Sequence, residues 1–172
     1  MPPARPLTHV DSAGHARMVD VSGKEPTERR ARAQAIVTMS AAADAALRSG
    51  RLPKGSALEV VRLAAIQAAK LTSGLIPLCH PLRLTKIDAR LERAAPRTWR
   101  IRSEVVALDR TGVEMEALTA ATIGALALYD MVKAVDRGAT IYEIALLEKS
   151  GGKSGHYVRA PRAGRRPRAN GR

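Results

Sequence analysis

Phenylalanine is absent from the 172 residues, and the aromatic content rests on three tyrosines and one tryptophan. A core cannot be built around large rings, so it must be packed mainly from Ala, Val, Leu and Ile within the 45% of apolar residues. The same shortage argues against a surface that stacks exposed bases, which needs aromatic side chains on its strands. Cysteine occurs once, at Cys79, so no intrachain disulfide can form and nothing indicates an oxidising compartment. Met1 to His9 has no apolar run fit for a signal peptide, and no stretch is read as approaching the roughly 20 apolar residues of a membrane span. The expectation is a cytoplasmic protein with no membrane partner.

Lysine is also scarce. Only seven of the 29 basic residues are lysine: Lys24, Lys54, Lys70, Lys86, Lys133, Lys149 and Lys153. In a chain that favours Arg, lysines are expected where a compact charge, or an ammonium whose pKa can shift, is required. The net charge is +13, and six arginines with no acid fall between 156 and 172; without them +7 remains. A basic surface of this kind attracts polyanions such as nucleotides or nucleic acid.

The length suits one domain with a real core. Residues 1–16, with Pro2, Pro3 and Pro6, read as an irregular lead-in, 17–155 as a single catalytic domain, and 156–172 as a basic disordered tail. Met18 to Val21 alternates and suggests a short strand, and Arg32 to Met39 is β-branched enough for another. Ser40 is placed to cap a helix from Ala41 to about Arg48, and Ser56 opens a second to about Leu71. Lys86 to Arg93 alternates apolar and charged residues, and Trp99 to Leu108 is its hairpin partner across Ala95-Pro96-Arg97. Thr111-Gly112-Val113-Glu114 has capping-box spacing and would start a long helix reaching about Val135, followed by a strand from Ile141 to Leu147. From Arg32 on, the order predicts a ferredoxin-like α+β fold, an antiparallel sheet with helices on one face.

Chemistry concentrates in three places. Gly74-Leu75-Ile76-Pro77-Leu78-Cys79-His80-Pro81 holds a histidine between prolines, which keeps the segment extended and its ring aimed. No second cysteine or spaced histidine accompanies Cys79 and His80, so a zinc site is not supported. The long helix is apolar from Ala117 to Tyr129 but bracketed by Glu114, Glu116, Asp130 and Lys133. Asp130 projects within roughly 40° of Glu116 at helical spacing, and Lys133 is close enough to pair with it. A carboxylate near a helix C-terminus opposes the dipole, which singles Asp130 out. Lys149 to Gly155 contains Gly-Lys-Ser, but Leu147 stands where a phosphate-binding P-loop needs glycine. A glycine-rich strand exit with two ammonium groups still suits phosphate oxygens.

Together these stretches resemble one family, cyclic pyranopterin monophosphate synthase, the second enzyme of molybdenum cofactor biosynthesis. The likeness runs from Leu7-Thr8-His9-Val10-Asp11 through Met18 to Val21, the 74–81 segment, Thr111 to Ala121, Tyr129 to Lys133 and Lys149 to Gly155. The resemblance implies a homohexamer, a trimer of dimers, with sites at dimer interfaces. It also implies conversion of (8S)-3′,8-cyclo-7,8-dihydroguanosine 5′-triphosphate to cyclic pyranopterin monophosphate, a lyase reaction releasing pyrophosphate. By position it makes Asp130 the catalytic aspartate and Lys133 its partner. Leu78, Cys79, His80, Glu114, Met115 and Glu116 become substrate-contact residues, and Lys54, Lys70, Lys149 and Arg29 basic residues of the pocket. Lys54 and Lys133 are expected to come from opposite subunits of the shared site. No cofactor is implied, and whether Mg²⁺ accompanies the triphosphate is left open. The competing reading is a ferredoxin-like nucleic-acid-binding module, favoured by the charge and the Arg-rich tail; acids beside the lysines argue against it, so no nucleic acid is expected.

Overall fold

A computed structural model describes residues 9–10, 13–153 and 155–160. It is an α+β fold: β1 (Thr27–Thr38), α1 (Ala41–Arg48), α2 (Ala57–Lys70), α3 (Thr72–Leu75), β2 (Leu84–Ala95), β3 (Thr98–Asp109), α4 (Glu114–Val132), β4 (Thr140–Ser150) and β5 (Tyr157–Val158). The five strands form one antiparallel sheet in the order β2-β3-β1-β4-β5.

The period-two pattern of β1 sets the two faces of the sheet. Ala31, Ala33, Ala35 and Val37 are buried under the helices, opposite Val105, Ser103, Ile101 and Trp99 of β3. Between them Arg30 and Arg32 point away, where Glu104 accepts from Arg32 and Lys86 at 2.6 Å each. Small core residues let the layers approach closely. Gly124 of α4 is packed so tightly that an added Cβ would lie 3.0 Å from Ile101 and 3.4 Å from Ala65. The largest fully buried side chains are Ile101, Leu128 and valines, as a chain without phenylalanine requires. Trp99 contributes its ring to the core while its indole N–H donates to buried Asp44 at 2.8 Å.

Several expectations meet the structure directly. Ser40 caps α1 by accepting from the Ala43 N–H, α2 spans nearly the range read for it, and Pro96-Arg97 is a two-residue hairpin turn with Arg97 at φ +60°. Others do not. Met18 to Val21 forms no strand: the alternation is there, but among the described residues no strand pairs with it. The capping box is not made either. Val113 occupies the cap position with no side-chain bond, and Glu114 is the first helical residue, its carboxylate drawn to Lys149 at 3.3 Å. α4 is, by length and hydropathy, long enough to cross a membrane, contrary to the expectation of no such run. Packing covers about half of this helix: Ala117, Ala121, Ala125 and Leu128 are fully covered, while Leu126 is 53% exposed. β5 adds an edge strand inside the stretch assigned to the tail, pairing with Glu148 and Lys149. The disorder expected of the arginines beyond residue 160 lies outside the described residues.

Candidate active site

The first turn of α4 and the loop before β2 are brought together at one end of the molecule. Leu78, Cys79 and His80 face Glu114, Met115 and Glu116 across a cavity of about 450 Å³. The 76–79 turn, closed by the Cys79 N–H donating to Ile76 O, and Pro81 after it fix the loop. His80 Nε2 lies 2.9 Å from the Val19 carbonyl; since a carbonyl only accepts, Nε2 carries a proton, and in the neutral ring Nδ1 is then the acceptor. Glu116 is 4% exposed, and burial pushes its carboxyl up to about 7, with the charge of Glu114 adding to the shift. Burial and then the charge of Glu116 push the Cys79 thiol up as well, which favours the unreactive thiol form.

Lys149 belongs to β4 rather than to a loop, and its ion pair with Glu114 places an ammonium beside the cavity. Arg29 lies in the neighbouring recess with Gly112 and Gly151, but donates from Nε to Asp109 O and from Nη2 to Arg110 O, both at 3.3 Å. Of the cavity residues not singled out from sequence as site residues, His9, Val19, Val21 and Lys24 come from the segment before β1, Leu82 from the loop before β2, and Thr111 and Gly112 from the turn before α4. The signal for Lys24 was there, as one of only seven lysines in an arginine-rich chain. Val19 and Val21 carry the alternation that was read as a strand rather than as a cavity wall, and His9 lies in the irregular lead-in, which has no period to read.

A second group gathers at the opposite end of α4. Asp130 accepts from Lys133 at 2.6 Å and from Lys54 at 2.5 Å. The two ammonium groups, Lys133 foremost, hold the Asp130 carboxyl down at about 2. Lys54 and Lys133 therefore sit on one carboxylate within a single chain, which corrects the expectation that they come from opposite subunits. Glu116 and Asp130 share a helix face, as their spacing requires, yet fourteen residues of helix separate them by about 21 Å. Lys70 stands exposed at the C-terminal end of α2 and takes part in neither group. Among the described residues no three His, Cys, Asp or Glu side chains are grouped to hold a metal ion.

An α+β fold with a cavity that sets a near-neutral carboxyl beside an imidazole and ammonium groups has the makings of a small-molecule enzyme using proton transfer on an anionic substrate. Residues 18–152 match the family model described as MoaC family, and the chain belongs to that family, the cyclic pyranopterin monophosphate synthases of molybdenum cofactor biosynthesis. It is accordingly an enzyme of that pathway, acting on a nucleotide.

Proposed function

We propose that the chain converts (8S)-3′,8-cyclo-7,8-dihydroguanosine 5′-triphosphate to cyclic pyranopterin monophosphate with release of pyrophosphate, as a cytoplasmic lyase. The observation that carries the reading is the cavity itself: both segments that the resemblance assigns to substrate contact, 78–80 and 114–116, line one space, with Lys149 at its edge. Turning a cyclised purine nucleotide into a pterin opens one ring and forms another, and both steps move protons. Glu116, poised near neutrality, can give or take a proton there, and His80 Nδ1 can accept a hydrogen bond. Forming the cyclic phosphate expels pyrophosphate, whose charge ammonium groups stabilise.

Asp130 is too acidic to donate a proton at neutral pH. In this reading it aims Lys54 and Lys133, and one of those lysines delivers the proton or binds a phosphate oxygen. A group acting on a reacting atom must come within hydrogen-bond reach of it. A substrate held by Glu116 cannot also touch Asp130 of the same chain, so the two groups must meet across subunits. That requirement supports a site shared at a dimer interface, within a homohexamer built as a trimer of dimers. The order β2-β3-β1-β4, with α2 and α4 packed on each other and on the sheet, supports the ferredoxin-like reading of the 17–155 domain. A nucleic-acid-binding role finds less support, since Trp99 is buried in the core and, among the described residues, the strands offer a base only half-buried Tyr142 of β4 and Tyr157 of the two-residue β5.

The test is incubation of purified protein with the cyclised nucleotide, following pyrophosphate and the pterin product. Wild type should release one pyrophosphate per pterin formed. Asp130→Asn should fold and lose turnover by roughly 10²–10⁴-fold, the contribution of a positioned acid–base group, because the lysine that Asp130 aims is no longer held in place. A folded wild-type protein that turns over no substrate would refute the assignment.

A further inference from the structure

The turn after β4 and the turn before α4 are joined by a single side chain, Arg29. Its guanidinium spans from the Asp109 and Arg110 carbonyls, which accept from Nε and Nη2, to the backbone of Gly152. Gly152 has φ +72°, and a Cβ there would overlap Arg29 Nη1; a Cβ on Gly151 would overlap the Glu28 carbonyl. Gly152 thus leaves a bare surface against which the planar guanidinium lies, and Gly151 lets the turn close on the β1 backbone at Glu28 and Arg29. On the far side of the same turn, a Cβ on Gly112 would overlap the Glu114 carboxylate, which Lys149 also holds. Two glycine surfaces and one arginine therefore fix the 109–114 segment, and this segment supplies Thr111, Gly112 and Glu114 to the cavity wall.

We propose that Gly151-Gly152 is a seat for Arg29, and that Arg29 so seated is a positioning residue that clamps the 109–112 turn and thereby aims Glu114 into the cavity. The catalytic part of this inference rests on the functional reading above; the clamp itself does not. With Nε and Nη2 both engaged on main-chain carbonyls, Arg29 acts chiefly through the turn rather than as a phosphate ligand. A misplacement of about 1 Å in a cavity wall can cost about 10²-fold in rate.

Four variants and two readouts test it: Gly152→Ala, Arg29→Ala, their double mutant, and Gly155→Ala as control. Gly155 is in the same turn at φ +67° with open space around its Cβ position, so its substitution carries similar backbone strain without touching Arg29. The readouts are kcat/KM for pyrophosphate release and hydrogen exchange of the 109–114 amides. Gly152→Ala and Arg29→Ala should each lower kcat/KM at least about tenfold and speed exchange in 109–114, the double mutant being no worse than Arg29→Ala. Gly155→Ala, whose N–H donates to Gly152 O but whose Cβ meets nothing, should change both readouts less than Gly152→Ala does. Exchange in Gly152→Ala no faster than in Gly155→Ala, or losses that add in full, would overturn the proposal. Should Gly152→Ala fail to fold, Arg29→Lys decides it, because lysine keeps the charge and loses the planar fork. Faster exchange in that variant supports the clamp, and wild-type exchange refutes it. A wild-type enzyme releasing no pyrophosphate would refute the functional reading alone, and the exchange measurement would still decide the clamp.

Discussion

Glu116 and Asp130 are carboxylates on one helix whose surroundings drive them in opposite directions. Asp130 has two ammonium partners and is held down at about 2, while Glu116 is buried beside a like charge and is pushed up to about 7. The consequence for stability has a definite sign. Below the ordinary glutamate value of 4.5, Glu116 is protonated in both folded and unfolded chains. As pH rises from there to about 7, the unfolded chain gives up a proton that the folded one keeps, so stability falls with pH across that window and stays lower above it. Glu116→Gln abolishes this dependence. Its unfolding free energy should gain on the order of 3 kcal/mol over wild type between pH 4 and pH 8, read from urea denaturation at both values. A difference between variant and wild type that does not change with pH would show Glu116 ionising normally. Sequence placed both carboxylates at the ends of an apolar stretch of helix and singled out Asp130 for opposing the dipole. It could not say which one is perturbed upward, because that depends on Lys54, 76 residues away, closing on Asp130 and not on Glu116.

At the scale of elements, α1, α2 and the β2-β3 hairpin were legible because local chemistry decides them: a serine cap, small buried residues at helical spacing, a proline turn between alternating runs. Where long-range contacts decide, reading failed. Thr111 to Glu114 has the letters of a capping box, but Lys149 engages the glutamate. Met18 to Val21 has the alternation of a strand, but no strand pairs with it, and the Val19 carbonyl goes to His80 instead. α4 carries both lessons. Its apolar middle was read as buried on all sides, but only half of it is, with Leu126 exposed, and the closeness of the packing becomes visible only at Gly124. An alanine there would gain helix propensity against a contact of 3.0 Å with Ile101, itself fully buried. A valine adds two methyl groups toward Val61 and Ala65 with no room to turn. Gly124→Val should therefore destabilise by roughly 1–3 kcal/mol, the usual cost of overpacking a filled core. A urea midpoint equal to wild type would mean that α2 and α4 can separate freely, against the packing described.

For the whole molecule, the separation of the two groups along α4 is the most consequential feature. One chain holds the cavity at one end and the Lys54-Asp130-Lys133 cluster at the other, so a site using both must draw them from two chains. In an isologous dimer each interface would then hold two such sites, each pairing one chain's cavity with its partner's cluster. Mixing inactive Glu116→Gln and Asp130→Asn proteins therefore has a defined outcome. In a mixed dimer, one site receives both defects and the other receives the intact cavity of the Asp130→Asn chain with the intact cluster of the Glu116→Gln chain. Full random exchange at equal amounts should restore about a quarter of the sites. Mixing Lys54→Ala with Lys133→Ala should restore none, because both residues act on the same Asp130 and every cluster stays damaged. Pyrophosphate release after verified subunit exchange measures both arms. Recovery in the lysine pair, or its absence in the carboxylate pair, would mean that the two groups do not meet across subunits in this way.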